Sequence, residues 1–148
     1  MKMDPQKGLR VADICLTAIF VLSYTAILIL RLIDAPLSAL RLALASLILF
    51  LTLSLMRRLF KKARPYQGGG TVPPRREKND SFPSRHAYSA FYIASLAFLI
   101  TPAASYALLA LAILLSAVRV LRGLHYPRDV VAGAFLGVAF ATVTIIIL

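Results

Sequence analysis

The stretch ASYALLALAILLSAV, residues 104–118, decides the fold of this chain. A helix at the surface of a soluble domain confines its apolar residues to one stripe and turns a polar face to water. Residues 104–118 offer no such face: two serines and a tyrosine are their only polar groups. Four further stretches are equally poor in charge, at roughly 14–30, 36–56, 87–101 and 130–148. Seventeen helical residues span about 26 Å, slightly short of a hydrocarbon core of about 30 Å, so flanking residues must complete each crossing. Arg31 and Arg41 stand near segment ends, where a long side chain reaches the interface. The expectation is an all-α, polytopic transmembrane helix bundle of about five spans, at 11–33, 36–57, 83–101, 102–121 and 127–148. Residues 1–148 then form a single integral-membrane domain.

The composition agrees. Of 148 residues 59% are hydrophobic, yet the formal charge is +11, a combination foreign to ordinary soluble domains. Residues 14–30 are long for the apolar core of a signal peptide and no clear cleavage site follows, so no cleavable leader is expected. Cys15 is the single cysteine, which rules out an intrachain disulfide. With His86 and His125 as the only histidines, a zinc site of the usual ligand count is not expected, and no cofactor is called for.

Unequal connections locate the function. Only IDAP (33–36) separates the first two spans, and only the corner Thr101-Pro102 separates the third from the fourth. The opposite membrane face receives the N-terminus and two longer connections, 57–83 and 119–129, the candidate active-site loops. All cationic residues but Arg31 and Arg41, fifteen of the seventeen, fall on that face. Within the first loop GGG (68–70) is a flexible turn, VPP (72–74) a stiff one, and RREKND (75–80) reads as a solvated rim.

Three basic elements sit at the ends of spans two to five. In RVLRGLHYPRDV (119–130), Pro127 suits the first turn of the last span, and Asp129 follows His125 by four residues. A carboxylate there can accept a hydrogen bond from one ring nitrogen and make the other a better nucleophile or base. The same spacing also fits a surface histidine beside an aspartate favoured by the helix dipole, and spacing alone leaves both readings open. In SFPSRHAY (81–88), Pro83 suits a helix start, so the amides of residues 84 to 86, with Ser84 and Arg85, form a donor set for phosphate. A capped helix with an interfacial arginine would look alike. The third element, RRLFKKARPY (57–66), is explained equally well by membrane orientation when taken alone.

Taken together, these elements resemble the type 2 phosphatidic acid phosphatase superfamily, which includes vanadium haloperoxidases and glucose-6-phosphatase. Its signatures are K-x6-R-P, P-S-G-H and S-R-x5-H-x3-D. This chain reads Arg57-x6-Arg64-Pro65, Pro83-Ser84-Arg85-His86 and Val118-Arg119-x5-His125-x3-Asp129. Arg57 stands for the lysine, Arg85 for the glycine and Val118 for the serine. Members usually have six spans, against about five here.

The resemblance implies hydrolysis of a lipid phosphate or diphosphate without metal. His125 would attack phosphorus and form a phosphohistidine, Asp129 would orient its ring, and His86 would protonate the leaving oxygen and then activate water. Arg57, Arg64, Ser84, Arg85 and Arg119 would hold the phosphoryl oxygens. Candidate substrates are polyprenyl diphosphate, phosphatidic acid and phosphatidylglycerophosphate.

The competing class is a non-enzymatic membrane protein whose basic face binds anionic headgroups. It gives no reason for two histidines and an aspartate at these spacings. Vanadate-dependent peroxidase chemistry suits a bundle embedded in lipid less well than an amphiphilic substrate does. A nucleic-acid partner is not expected, because the basic residues flank the bilayer and no recognition motif accompanies them. The expected location is a prokaryotic plasma membrane. On sidedness, the charge bias points to the cytoplasm and the family's habit to the outside.

Overall fold

A computed structural model describes residues 5–60, 62, 65 and 81–148, and every regular element among them is helical. Helix α1 runs Pro5–Asp34, α2 Pro36–Phe60, α3 Arg85–Leu96 with a 3₁₀ turn Ala97–Leu99, α4 Pro102–Leu121 and α5 Pro127–Ile147. Arg64 and the segment 66–80, with GGG, VPP and RREKND, lie outside the described residues.

Prolines mark four of the five helix starts, because a ring that lacks an amide hydrogen forfeits nothing in the first turn and forbids helix just before it. Pro36 separates α2 from α1 across Ala35 alone. Pro102 opens α4 behind Thr101, whose Oγ1 accepts from the Ala104 amide at 3.0 Å. Pro127 opens α5, with the Asp129 carboxylate accepting from the Tyr126 amide at 3.1 Å. In α3 the helix starts two residues later than expected. Ser84 is the N-cap and the helix begins at Arg85, so Pro83 lies before the cap and the open amides begin at residue 85.

Helices α1, α2, α4 and α5 are each long and apolar enough to cross a membrane. Their outer faces carry large apolar residues such as Leu22, Ile33, Phe135 and Ile146, as lipid contact requires. The expected third span, 83–101, holds only 12 α-helical residues before the 3₁₀ turn. Thr101-Pro102 stops it, and α3 packs against α1, α4 and α5, which relieves it of the need for an apolar outer face.

The closest packing is between α3 and α5. A Cβ built on Gly133 would lie 2.7 Å from the Ser84 carbonyl oxygen and 3.2 Å from the Tyr88 amide. One on Gly137 would lie 2.5 Å from the Tyr88 carbonyl and 3.0 Å from the Tyr92 amide. Small residues at four-residue spacing on α5 thus let two backbones touch. The spacing on α3 suggests a matching face of His86, Ala90, Ala94 and Ala97, but the glycines meet Ser84, Tyr88 and Tyr92 instead. Bulk removed on α5 need not also be removed opposite, and the tyrosine side chains flank the contact. Inside the bundle the Tyr92 hydroxyl lies 3.1 Å from Ser46 Oγ and 3.3 Å from Thr144 Oγ1, joining α2, α3 and α5 by polar contacts.

At the end away from the basic loops, the two remaining arginines close helix termini. Arg31 donates to the Leu99 carbonyl at 3.3 Å and Arg41 to that of Ile147 at 3.5 Å. A cation at the negative end of a helix is favourable, so these residues reach helix carbonyls as well as the interface.

Candidate active site

The end of α2, the start of α3 and the α4–α5 connection converge at one end of the bundle. Arg57, in the last turn of α2, is buried and donates from Nη1 to the Pro83 carbonyl at 2.7 Å. One turn on, the Lys62 carbonyl accepts from the Ser81 amide at 2.9 Å, and the Lys62 ammonium stands 4.7 Å from the centre of the Phe82 ring. The edge of Phe60 meets the same ring at 5.4 Å. The exit of α2 is thereby laid along SFPSRHAY.

His125 and Asp129 are both buried. The spacing allows a direct bond between them, but Asp129 Oδ2 lies 3.9 Å from His125 Nδ1, beyond hydrogen-bond reach. Nδ1 instead lies 3.0 Å from the Ser81 carbonyl oxygen. A carbonyl can only accept, so the neutral ring carries its hydrogen on Nδ1 and its lone pair on Nε2. Asp129 acts one step removed. Its Oδ2 accepts hydrogen bonds from the Ser81 hydroxyl and, at 3.1 Å, from the Tyr126 amide, and its backbone carbonyl accepts from the Ser84 amide at 2.9 Å. The carboxylate grips Ser81, and Ser81 grips the imidazole.

Sequence reasoning assigned no role to Ser81. The residue opens the quoted motif, but a contact made by a backbone carbonyl leaves no mark on residue identity. Ser81→Ala removes the hydroxyl that meets Asp129 and keeps the carbonyl. The expected results are a loss of about 1–2 kcal/mol in unfolding free energy and a fall of about tenfold in turnover. Chemical denaturation and a steady-state assay on the purified variant measure the two.

The other expected site residues divide. His86, on the first turn of α3, is partly exposed and lies within electrostatic reach of Arg119, His125, Arg85 and Arg57. Both histidines and three arginines therefore share one electrostatic neighbourhood. Ser84 is fully buried, with its Oγ accepting from the Ala87 amide at 3.5 Å in the helix cap. The exposed Arg85 lines a cavity of about 190 Å³ between α1, α2 and α3, with Tyr24, Leu49, Phe50, Tyr88 and Tyr92 among its walls. Arg119 is buried, and its Nε lies 2.7 Å from Asp13 Oδ1 on α1; the other oxygen of Asp13 pairs with Arg122. Asp13 was also missed, although an ionisable residue inside an apolar helix is a signal in itself.

The described residues form an all-helical bundle, four of whose helices are long and apolar enough to cross a membrane, with histidines and arginines gathered at one end. The family model of the PAP2 superfamily matches residues 38–148, and the chain belongs to that superfamily. It is similar to the bacitracin transport permease protein BcrC of Bacillus licheniformis, 40% identical over 81 residues. That match covers 51% of this chain and 40% of the relative, so the chain aligns with less than half of that protein's length. No solved structure matches. With four helices long and apolar enough to cross a membrane, the chain is a multi-pass membrane protein of that superfamily.

Proposed function

We propose that the protein hydrolyses a phosphate or diphosphate ester carried on a membrane lipid, through a phosphohistidine on His125 and without a metal ion. The observation that carries this reading is the hydrogen bond from His125 Nδ1 to the Ser81 carbonyl, which leaves the Nε2 lone pair as nucleophile beside a group of arginines. Nε2 attacks phosphorus, the N–P bond forms as the bond to the leaving oxygen breaks, and His86 supplies the proton that the departing lipid group takes. Water then attacks the phosphohistidine, His86 accepts its proton, and inorganic phosphate leaves as Nε2 is released.

Arg119, Arg57, Arg64, Arg85 and the open amides at the start of α3 hold the phosphoryl oxygens, whereas Ser84, expected among them, is fully buried as the cap of α3 and stands behind them. Positioned cations and amides perform the charge stabilisation for which many phosphoryl-transfer enzymes use magnesium. The site lies where α2, α4 and α5 leave the apolar zone, the depth at which a lipid keeps its tail in the bilayer and presents its phosphate. Polyprenyl diphosphate, phosphatidic acid and phosphatidylglycerophosphate all meet that requirement.

The test is phosphate release by the purified protein from those three lipids, with and without a chelator. Activity is expected on at least one and is expected to survive chelation within about twofold, because no step of the reaction draws on a metal. Brief incubation with labelled substrate should leave a label on the protein that acid removes and alkali does not, the behaviour of an N–P bond. Abolition by the chelator would overturn the metal-free reading, and an alkali-labile label would move the nucleophile away from histidine.

A further inference from the structure

Asp13 sits on α1, within a membrane-spanning helix and outside the stretch that matches the family model. It is buried, and its carboxylate is divided between two arginines of the basic face, Oδ1 on Arg119 Nε at 2.7 Å and Oδ2 on Arg122 Nη1. An ionised group inside a membrane helix is expensive and persists where it serves a function or a partner. Asp13 is one of six acidic residues in a chain with 17 lysines and arginines, and it is committed to Arg119, a cation within electrostatic reach of His86. A carboxylate shared in this way meets Arg119 as a close ion pair at Nε and not as an aligned hydrogen bond. The ion pair therefore restricts how far the guanidinium can move from the basic end of the bundle.

We infer that Asp13 is a positioning residue for phosphate recognition: from α1 it holds the Arg119 guanidinium by an ion pair at the depth where it meets the phosphoryl oxygens. The inference rests on the reading of Arg119 as a phosphate ligand. It gives α1 a part in the site that none of the three signature motifs records, and it couples the seating of α1 against α4 to the affinity for phosphate. Arg122 secures the second oxygen and prevents the carboxylate from turning away.

Two effects of removing the Asp13 charge oppose each other. Loss of a negative charge from a cationic site would by itself tighten phosphate binding, by about twofold across ~10 Å in a water-like medium. Loss of the fixed guanidinium removes an aligned, charge-assisted hydrogen bond and weakens binding by about tenfold or more. The sign of the change separates positioning from simple electrostatics.

The experiment measures the affinity of the full-length protein, purified in detergent, for inorganic phosphate by calorimetry, beside KM and kcat on the best lipid phosphate. Asp13→Asn is expected to weaken phosphate about tenfold and to raise KM more than it lowers kcat, whereas Asp13→Glu, which keeps the carboxylate, recovers most of the loss. In an Arg119→Ala background Asp13→Asn should change phosphate affinity by less than about twofold, because its effect passes through Arg119. Equal or tighter binding by Asp13→Asn overturns the inference, and so does an equal loss in both backgrounds, which would mark a structural role alone. If Arg119→Ala weakens phosphate and Asp13→Asn does not, only this inference fails. If Arg119→Ala binds as the parent does, the reading beneath it fails too. Should Asp13→Asn not fold, Arg119→Lys replaces it: lysine cannot hold Asp13 and a phosphoryl oxygen along one rigid fork, and parent-like affinity would overturn the proposal.

Discussion

His125→Ala is expected to lower phosphate release from the best lipid substrate by at least about 10³-fold, the scale on which loss of a covalent nucleophile is felt. The reaction offers no substitute for it. His86 belongs to a different helix and is assigned to the leaving group, and alanine leaves only water to attack a phosphorus whose oxygens repel anions. The protein itself should remain folded. The variant loses the bond between Nδ1 and the Ser81 carbonyl, and an unpaired buried carbonyl costs about 1–3 kcal/mol, which is felt as a lower melting temperature and not as unfolding. The pairing of these readouts makes the experiment decisive. Near-complete loss of turnover with a melting temperature within several degrees of the parent supports the nucleophile, whereas more than a tenth of parental activity in the same preparation would reject it. The alkali-stable label described above should vanish with His125 as well.

The second large effect is mechanical. Alanine at Gly137 would set its Cβ 2.5 Å from the Tyr88 carbonyl, and at Gly133 2.7 Å from that of Ser84. Both clashes are with backbone, which cannot rotate aside as a side-chain tip can, so α3 and α5 must separate. Overpacking of this kind typically costs about 1–3 kcal/mol, which for a domain of this size lowers the melting temperature by about 2–4 °C for each kcal/mol.

The two glycines should differ in what they do to activity. Gly133 faces Ser84, whose amide donates to the Asp129 carbonyl at 2.9 Å, so Gly133→Ala should lower turnover about tenfold or more along with stability. Gly137 lies one turn deeper and should act on stability first. Gly8→Ala is the control, since nothing stands within 4 Å of a Cβ there and alanine favours helix. If Gly133→Ala and Gly137→Ala melted like Gly8→Ala, the close approach of α3 to α5 would be wrong.

Helix ends were legible because they are written in single residues. Pro36, Pro102 and Pro127 each stand where a helix begins, and Gly123 turns the chain after α4 with a φ of +66° that a residue bearing a Cβ adopts at a cost. The start of α3 lies two residues beyond Pro83, since a proline before a serine cap and a proline inside the first turn look the same in sequence. The i,i+4 spacing of His125 and Asp129 correctly suggested an association but not its form. A carboxylate that works through the Ser81 hydroxyl and a ring bonded to the Ser81 carbonyl require a third segment, 44 residues away from His125, to be in place.

What the sequence determined by itself is local: five apolar segments, their caps, the basic end, and three motifs whose residue types suit phosphate. Each of those follows from transfer of side chains out of water or from the dihedral limits of one or two residues, and needs no knowledge of neighbours. The tertiary structure decided the partners. Asp13 meets Arg119 across two helices, Gly133 and Gly137 choose Ser84 and Tyr88 instead of an alanine stripe, and the imidazole takes a carbonyl in place of a carboxylate. Such choices depend on how the helices rotate and slide against one another. That register is set by steric fit summed over the whole bundle, and no single stretch of chain contains it.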